Sequence, residues 1–250
     1  MIDSHCHLND PKLFIDLDGV LERARAVGVE SFIVPGYDLV SSEKAVSIAE
    51  AYEGVYALVG IHPHDASIYN DEVENRLEEL LGNDKVVGLG EIGLDYYYDN
   101  SPREKQREVF IKQLELAKRI SKPVVIHSRD AFLETFEIIR DHGKGLSGVF
   151  HCFSGSYESA MRVIKELGFY ISLAGPVTFK NAKEPLEVAS RIPLEYLLIE
   201  TDCPYLAPHP FRGKQNEPAY LPYIAERIKE VRGGSIITAT VDNTKKLFGL

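Results

Sequence analysis

Two imidazoles separated by one residue, His5 and His7 in "DSHCHL", stand near the start of the chain. On a strand, side chains alternate with a period of two, so both rings project to one face and Cys6 to the other. Two imidazoles on one face can clasp a single metal ion; a pair of idle surface histidines is the other reading of this stretch. The spacing recurs. "GIHPH" holds His62 and His64, "VIHSRD" sets His127 two residues from Arg129, and "LIETDCP" does the same for Glu200 and Asp202. Glu91 stands in "LGEIGLD" and His151 in "VFHCFSG".

One buried histidine is ordinarily a hydrogen-bonded core residue. Four on separate strand ends, among carboxylates, are poorly explained that way, because a buried carboxylate is costly without a partner. A divalent cation is such a partner. His5, His7, Glu91, His127, His151 and Asp202 make six donors, too many for one tetrahedral zinc. They suit two cations sharing a bridging carboxylate. Glu91 is the expected bridge, since its strand lies between the first and the fifth. His5, His7 and Asp202 then complete one site, and His127 and His151 the other. Mixed imidazole and carboxylate ligands fit Zn, Mn, Fe, Ni or Co, and Mg less comfortably.

Two cations ~3.5–4 Å apart stabilise the attacking and leaving oxygens of a displacement. Asp202 is placed to take or orient the proton of an attacking water, so Asp202 and Glu91 are the catalytic candidates. Glu200 either orients a ligand or pairs with a basic residue. Two dications less two carboxylates leave a positive pocket, which suits a phosphodiester. Arg129, His62, Arg212, Lys214 and Asn216 are the candidate substrate contacts, the last three from the loop "FRGKQNEP". Arg129 pairing with Asp130 or Glu91, and a merely solvated loop, are the competing readings. Tyr96, Tyr97 and Tyr98 either stack on bases or pack. Cys6, Cys152 and Cys203 flank candidate ligands but point away by alternation, as small core residues.

These side chains must be carried by something regular. Eight apolar, β-branched runs begin near residues 1, 30, 55, 86, 123, 147, 169 and 196. Between them lie helical periodicities. Val20, Leu21, Ala24 and Val27 form one stripe; Val109, Phe110, Leu114 and Ala117 form another, with Ser101 as an expected N-cap. "SYESAMRVIKELG" ends on Gly168, and a last helix is expected from about Val241. Eight βα units in 250 residues describe a (β/α)8 TIM barrel in one domain spanning 1–250, with an open doubly wound sheet as the alternative. In an all-parallel barrel, polar residues at strand C-terminal ends are the informative ones.

The net charge of −10 argues against general adhesion to nucleic acid or anionic membrane. Action on strand ends or short single strands is expected instead. Three cysteines without zinc-ribbon spacing, no signal-like N-terminus and no membrane-length apolar run point to the cytoplasm. No protein partner is predicted.

The set "DSHCHL", "GIHPH", "GEIGLDYY", "VIHSRDA", "HCFSGS", "ETDCPYLAP" and "RGKQNEP" closely resembles the TatD family of metal-dependent deoxyribonucleases, in the amidohydrolase superfamily. The resemblance runs in order along the whole chain. It implies a (β/α)8 fold and two divalent cations held by His5, His7, Glu91, His127, His151 and Asp202. It also implies hydrolysis of phosphodiesters, commonly as a 3′→5′ exonuclease on DNA. Many related sequences carry a basic residue where Gln215 stands. Hydrolysis of an amide, lactone or small phosphoester is the second reading; many such enzymes bridge their metals with a carboxylated lysine where Glu91 stands here. A non-catalytic nucleotide- or metal-binding protein is the third.

Overall fold

The computed structural model describes residues 1–250, and its single sheet has eight parallel strands in chain order. They are β1 (Ile2–Asp3), β2 (Ser31–Pro35), β3 (Val55–Val59), β4 (Val86–Asp95), β5 (Val124–Arg129), β6 (Gly148–Phe150), β7 (Tyr170–Leu173) and β8 (Leu197–Ile199). Ser4 spans the seam between the last strand and the first: its N–H and Oγ–H both donate to the Ile199 carbonyl, at 3.2 and 2.9 Å. This is the (β/α)8 barrel expected from the eight runs, and the open sheet is set aside.

Helices wrap the outside: α1 (Pro11–Phe14), α2 (Leu17–Ala26), α3 (Leu39–Ala51), α4 (Asp71–Leu81), α5 (Arg103–Ile120), α6 (Phe132–His142), α7 (Tyr157–Arg162), α8 (Lys183–Arg191), α9 (Leu221–Arg232) and α10 (Ile237–Phe248). Strand alternation divides the core. Phe32, Val34, Ala57, Val59 and Val86 face the helices within the large apolar layer. Ile33, Leu58, Val87, Val125, Val149, Tyr170 and Leu198, one from each of β2 to β8, form a separate cluster with Leu247 and Phe248. Packed interiors of this kind make a barrel a core, not a pore. The end of α10 closes its floor and leaves chemistry to the opposite rim.

Several local expectations shift. Helix α10 begins at Ile237, earlier than Val241, and buries Thr240 and Thr244 within it. Ser101 does not cap α5: its hydroxyl donates to the His64 carbonyl at 2.7 Å and accepts from the Ser67 N–H. Val27 lies past the end of α2 and is exposed, while Val20, Leu21 and Ala24 are buried as expected. Helix α7 continues through a π-helical turn over Val163–Leu167 and ends at Gly168, whose φ of +71° suits glycine. No helix is long and apolar enough to cross a membrane.

Candidate metal centre

Five imidazoles surround one carboxylate. Glu91, buried on β4, has Oε1 2.8 Å from His127 Nδ1, 2.9 Å from His151 Nε2 and 3.4 Å from His62 Nε2. Its other oxygen, Oε2, faces His5 Nε2 at 3.4 Å and His7 Nε2 at 3.8 Å. Asp202 Oδ1 approaches the same two rings, His7 at 3.4 Å and His5 at 3.8 Å. The rings of His5 and His151 stack, with centroids 4.0 Å apart. The six residues singled out as ligands therefore converge, although they come from both ends and the middle of the chain.

Each element delivers its donor for a local reason. Regular pairing of β1 stops at Asp3 and the chain bends at Ser4 and His5, but it stays tied to its neighbours: the Cys6 N–H donates to the Ile33 carbonyl and the His7 N–H to that of Cys203. The Cys6 thiol is buried on the far side and donates to the Ile33 carbonyl. Close approach of β4 and β5 requires Gly93. Its φ is +144°, and a Cβ there would lie 1.9 Å from the His127 carbonyl oxygen. Asp3, fully buried, holds the turn that carries Asp202: its Oδ1 accepts from the Thr201 N–H at 2.9 Å, and Thr201 Oγ1 lies 2.5 Å from Oδ2. Glu200 is buried too. Its Oε1 accepts from the Cys152 N–H at 2.7 Å and stands 3.3 Å from His151 Nδ1, so its partner is a histidine and a backbone amide rather than Arg or Lys.

Burial opposes charge on every one of these groups, and their neighbours decide the outcome. The Glu91 carboxyl is held well below the usual range by His151, His62 and His127 despite burial. Asp202 is lowered by His7, His5 and His151 against the same penalty. Desolvation pushes His62 down to about 4 and also lowers His5. Asp202 and Glu91 overcome it to raise His7, and Asp95 and Glu91 do so for His127.

The donor set fits a divalent cation. His5 Nδ1 and Nε2, His7 Nδ1 and His151 Nδ1 are buried without a hydrogen bond. Two ligand atoms ~2.1 Å from one ion at the tetrahedral angle lie roughly 3.4 Å apart, which is the separation of His5 and His7 from their nearest carboxylate oxygens. Three triads have donor atoms within 4.8 Å of one another: His5 with His151 and Asp202, His5 with His7 and Glu91, and His62 with Glu91 and His127.

The expected substrate contacts are more scattered. His62 is in the ring itself. Arg129 is exposed and makes no ion pair with Asp130 or Glu91; its guanidinium carbon lies 4.0 Å from the Tyr97 centroid and 4.8 Å from that of Tyr98. Arg212 rests on Phe179 at 4.0 Å, and Lys214 lies 5.9 Å from the Phe211 centroid. Asn216 corrects the expectation of a mouth residue. It is fully buried, and its amide donates to the carbonyls of Thr201 and Tyr205 and accepts from the Glu217 N–H. No donor remains for a phosphate. Gln215 donates to the Lys12 carbonyl. Tyr96 packs, with its hydroxyl on Glu134, while Tyr97 and Tyr98 are more than half exposed.

Asp95 escaped the sequence reading. It is fully buried, and its Oδ2 lies 3.0 Å from both His127 Nε2 and His64 Nε2. The signal was available, because residues 91, 93 and 95 share a face of a regular strand.

Residues 2–249 match the family model described as TatD related DNase. An uncharacterised metal-dependent hydrolase of Bacillus subtilis is 46% identical over 252 residues, covering 99% of this chain and 98% of that protein. The 3'-5' ssDNA/RNA exonuclease TatD of Escherichia fergusonii is 37% identical over 259 residues, covering 100% and 99%. The crystal structure of a TatD homologue from Escherichia coli K12 aligns with a TM-score of 0.95 at 33% identity, covering 100% of this chain and 98% of that one.

Proposed function

The chain belongs to the TatD-related DNase family and is a metal-dependent hydrolase, and we propose that it cuts phosphodiesters at the ends of short DNA single strands, with two divalent cations in one catalytic domain spanning 1–250. The observation that carries this reading is the division at Glu91: one carboxylate oxygen faces His127 and His151, the other faces His5 and His7. Glu91 would bridge two sites, His5, His7 and Asp202 completing one and His127 and His151 the other. Divalent cations supply Lewis acidity toward phosphodiester oxygens and bring the pKa of water from 15.7 to about 7. Asp202, held ionised by its histidine neighbours, takes a proton at a carboxylate oxygen, a general-base role commonly contributing ~10²–10⁴-fold. Glu200 fixes the strand-six turn through the Cys152 amide and keeps the His151 ring in place.

Arg129 and Arg212 grip phosphate oxygens, with Lys214 at the mouth and His62 beside the cleaved bond. Both arginines lie over aromatic rings and have no protein acceptor, so their forked N–H groups are free for an anion. Three free cysteines suit a reducing cytoplasm.

Metal analysis and end-labelled oligonucleotides test the reading. About two ions per chain and stepwise shortening of single strands with Mg²⁺ or Mn²⁺, abolished by chelator, are expected. One ion per chain removes the shared-carboxylate arrangement. Turnover confined to lactones or carboxylic esters removes the phosphodiester. Asp202→Asn lowers kcat by ~10²–10⁴-fold; an unchanged rate removes its role.

A further inference from the structure

Asp95 engages four nitrogens with one carboxylate, two imidazole and two backbone. Oδ2 lies 3.0 Å from His127 Nε2 and 3.0 Å from His64 Nε2. Oδ1 accepts from the backbone N–H groups of Tyr97 and Tyr98, at 3.0 and 2.9 Å. Its own backbone is gripped by the buried Gln106, which accepts from the Asp95 N–H at 2.9 Å and donates to its carbonyl at 3.1 Å. The carboxylate is therefore fixed on both sides.

Its two oxygens face different machinery. On the Oδ2 side, His127 turns Nε2 to Asp95 and leaves Nδ1 toward the centre, 2.8 Å from Glu91 Oε1 and 3.3 Å from His151 Nε2. A carboxylate on one ring nitrogen sets the tautomer and basicity of the other. On the Oδ1 side, the anchored residues Tyr97 and Tyr98 carry the Arg129 guanidinium over their rings. Tyr98 also meets the His64 ring edge-on, with centroids 5.3 Å apart.

We propose that Asp95 is a positioning residue that presents His127 Nδ1 to the metal centre and fixes the Tyr97–Tyr98–Arg129 stack beside it, so that metal affinity and grip on the strand depend on one carboxylate. The inference rests on the reading of His127 as a metal ligand and adds to it the group that aims the ring. A turn-forming aspartate with no further role would satisfy only the two tyrosine amides, and an asparagine would serve as well there.

Asp95→Asn separates the two duties. Its carbonyl still accepts from Tyr97 and Tyr98, but its NH2 donates into His127 Nε2 and drives the proton to Nδ1, the nitrogen that must be free. Zinc titration of the metal-stripped protein should show affinity 10–100-fold weaker in Asp95→Asn, while KM for a single strand at saturating Mn²⁺ stays near wild type. Asp95→Ala should lose the same affinity and also raise KM several-fold. Histidine ¹⁵N shifts of the zinc-loaded wild type, which need no variant to fold, should show His127 coordinated through Nδ1 and protonated at Nε2. Wild-type zinc affinity in Asp95→Asn, or coordination through Nε2, overturns the proposal alone. Failure of the wild type to take up zinc overturns it together with the metal reading.

Discussion

Asp3 shows how a single buried carboxyl can tie site geometry to pH. It has no cationic neighbour; its partners are the Thr201 N–H, the Thr201 hydroxyl and, at 3.4 Å, the His5 N–H. Burial pushes its pKa up to about 8, against the hydrogen bonds from Thr201. An unfolded aspartate titrates near 3.9. The folded protein therefore keeps a proton that the unfolded chain gives up. That contribution is complete below about pH 4 and is lost as pH climbs through about 8. Asp3→Asn is isosteric with the protonated acid: one side accepts from the Thr201 N–H and the other donates to Thr201 Oγ1. In metal-stripped protein, the Tm advantage of Asp3→Asn over wild type should widen from about pH 6 to about pH 9. Parallel Tm curves across that range would mean that Asp3 is already ionised in the folded protein. Because Thr201 lies between Glu200 and Asp202, the same titration should loosen the turn that aims both.

Between elements, the rim is held by buried side-chain amides. Gln106 and Gln113 lie two turns apart on α5 and point inward together. Gln106 clamps the end of β4 at Asp95; Gln113 accepts from the Ile61 N–H at 2.8 Å and donates to its carbonyl at 2.9 Å, one residue before His62. Asn9 and Asn216 tie other loops by donating from their amides, to the carbonyls of Pro35 and Ser41 and of Thr201 and Tyr205. Gln113→Ala leaves a donor and an acceptor buried at Ile61, at about 1–3 kcal/mol for each unsatisfied group. Urea unfolding should show a loss of that order with an unchanged m-value, and a change below about 0.5 kcal/mol would mean that water replaces the clamp. These clamps mark where the sequence was hard to read. The strands were legible from their apolar runs, and the candidate ligands from polar residues spaced by two just past the strand ends, His5 with His7 and Glu200 with Asp202. Asp95 lies on β4 four residues past Glu91, but an acidic residue at the strand end before three tyrosines shows no partner in the sequence. Asn216 was misplaced because its partners are carbonyls of residues 201 and 205 in a folded loop, which no local period reveals. Gln106 and Gln113 sit within an apolar stripe, and a polar intrusion there is visible without its partner being so.

At the scale of the whole molecule, the proposed substrate is a polyanion and the protein is acidic. The net charge is −10, yet the arginines are not equivalent. Those on the helical surface engage carboxylates or carbonyls, as Arg23 does with Glu217, Arg76 with Glu43, Arg119 with Glu78 and Arg232 with Ala189. The exposed carboxylate pairs contribute little to stability, but they do neutralise their cations. Arg129 and Arg212 stand apart, with guanidinium groups on aromatic rings and no carboxylate partner. An acidic surface repels distant phosphates, so under the proposed function attraction should be confined to the nucleotides that reach the rim. A single strand gripped by about two side-chain cations should follow a log–log salt dependence of slope near −1.4, from about −0.7 per phosphate contact. Binding of a labelled strand to a cleavage-deficient Asp202→Asn protein across a salt series measures that slope. Arg129→Gln and Arg212→Gln should each make it shallower by about 0.7. A slope of about −4 or steeper would require a long basic track across the surface, and the confinement of the substrate to strand ends would then have no electrostatic basis.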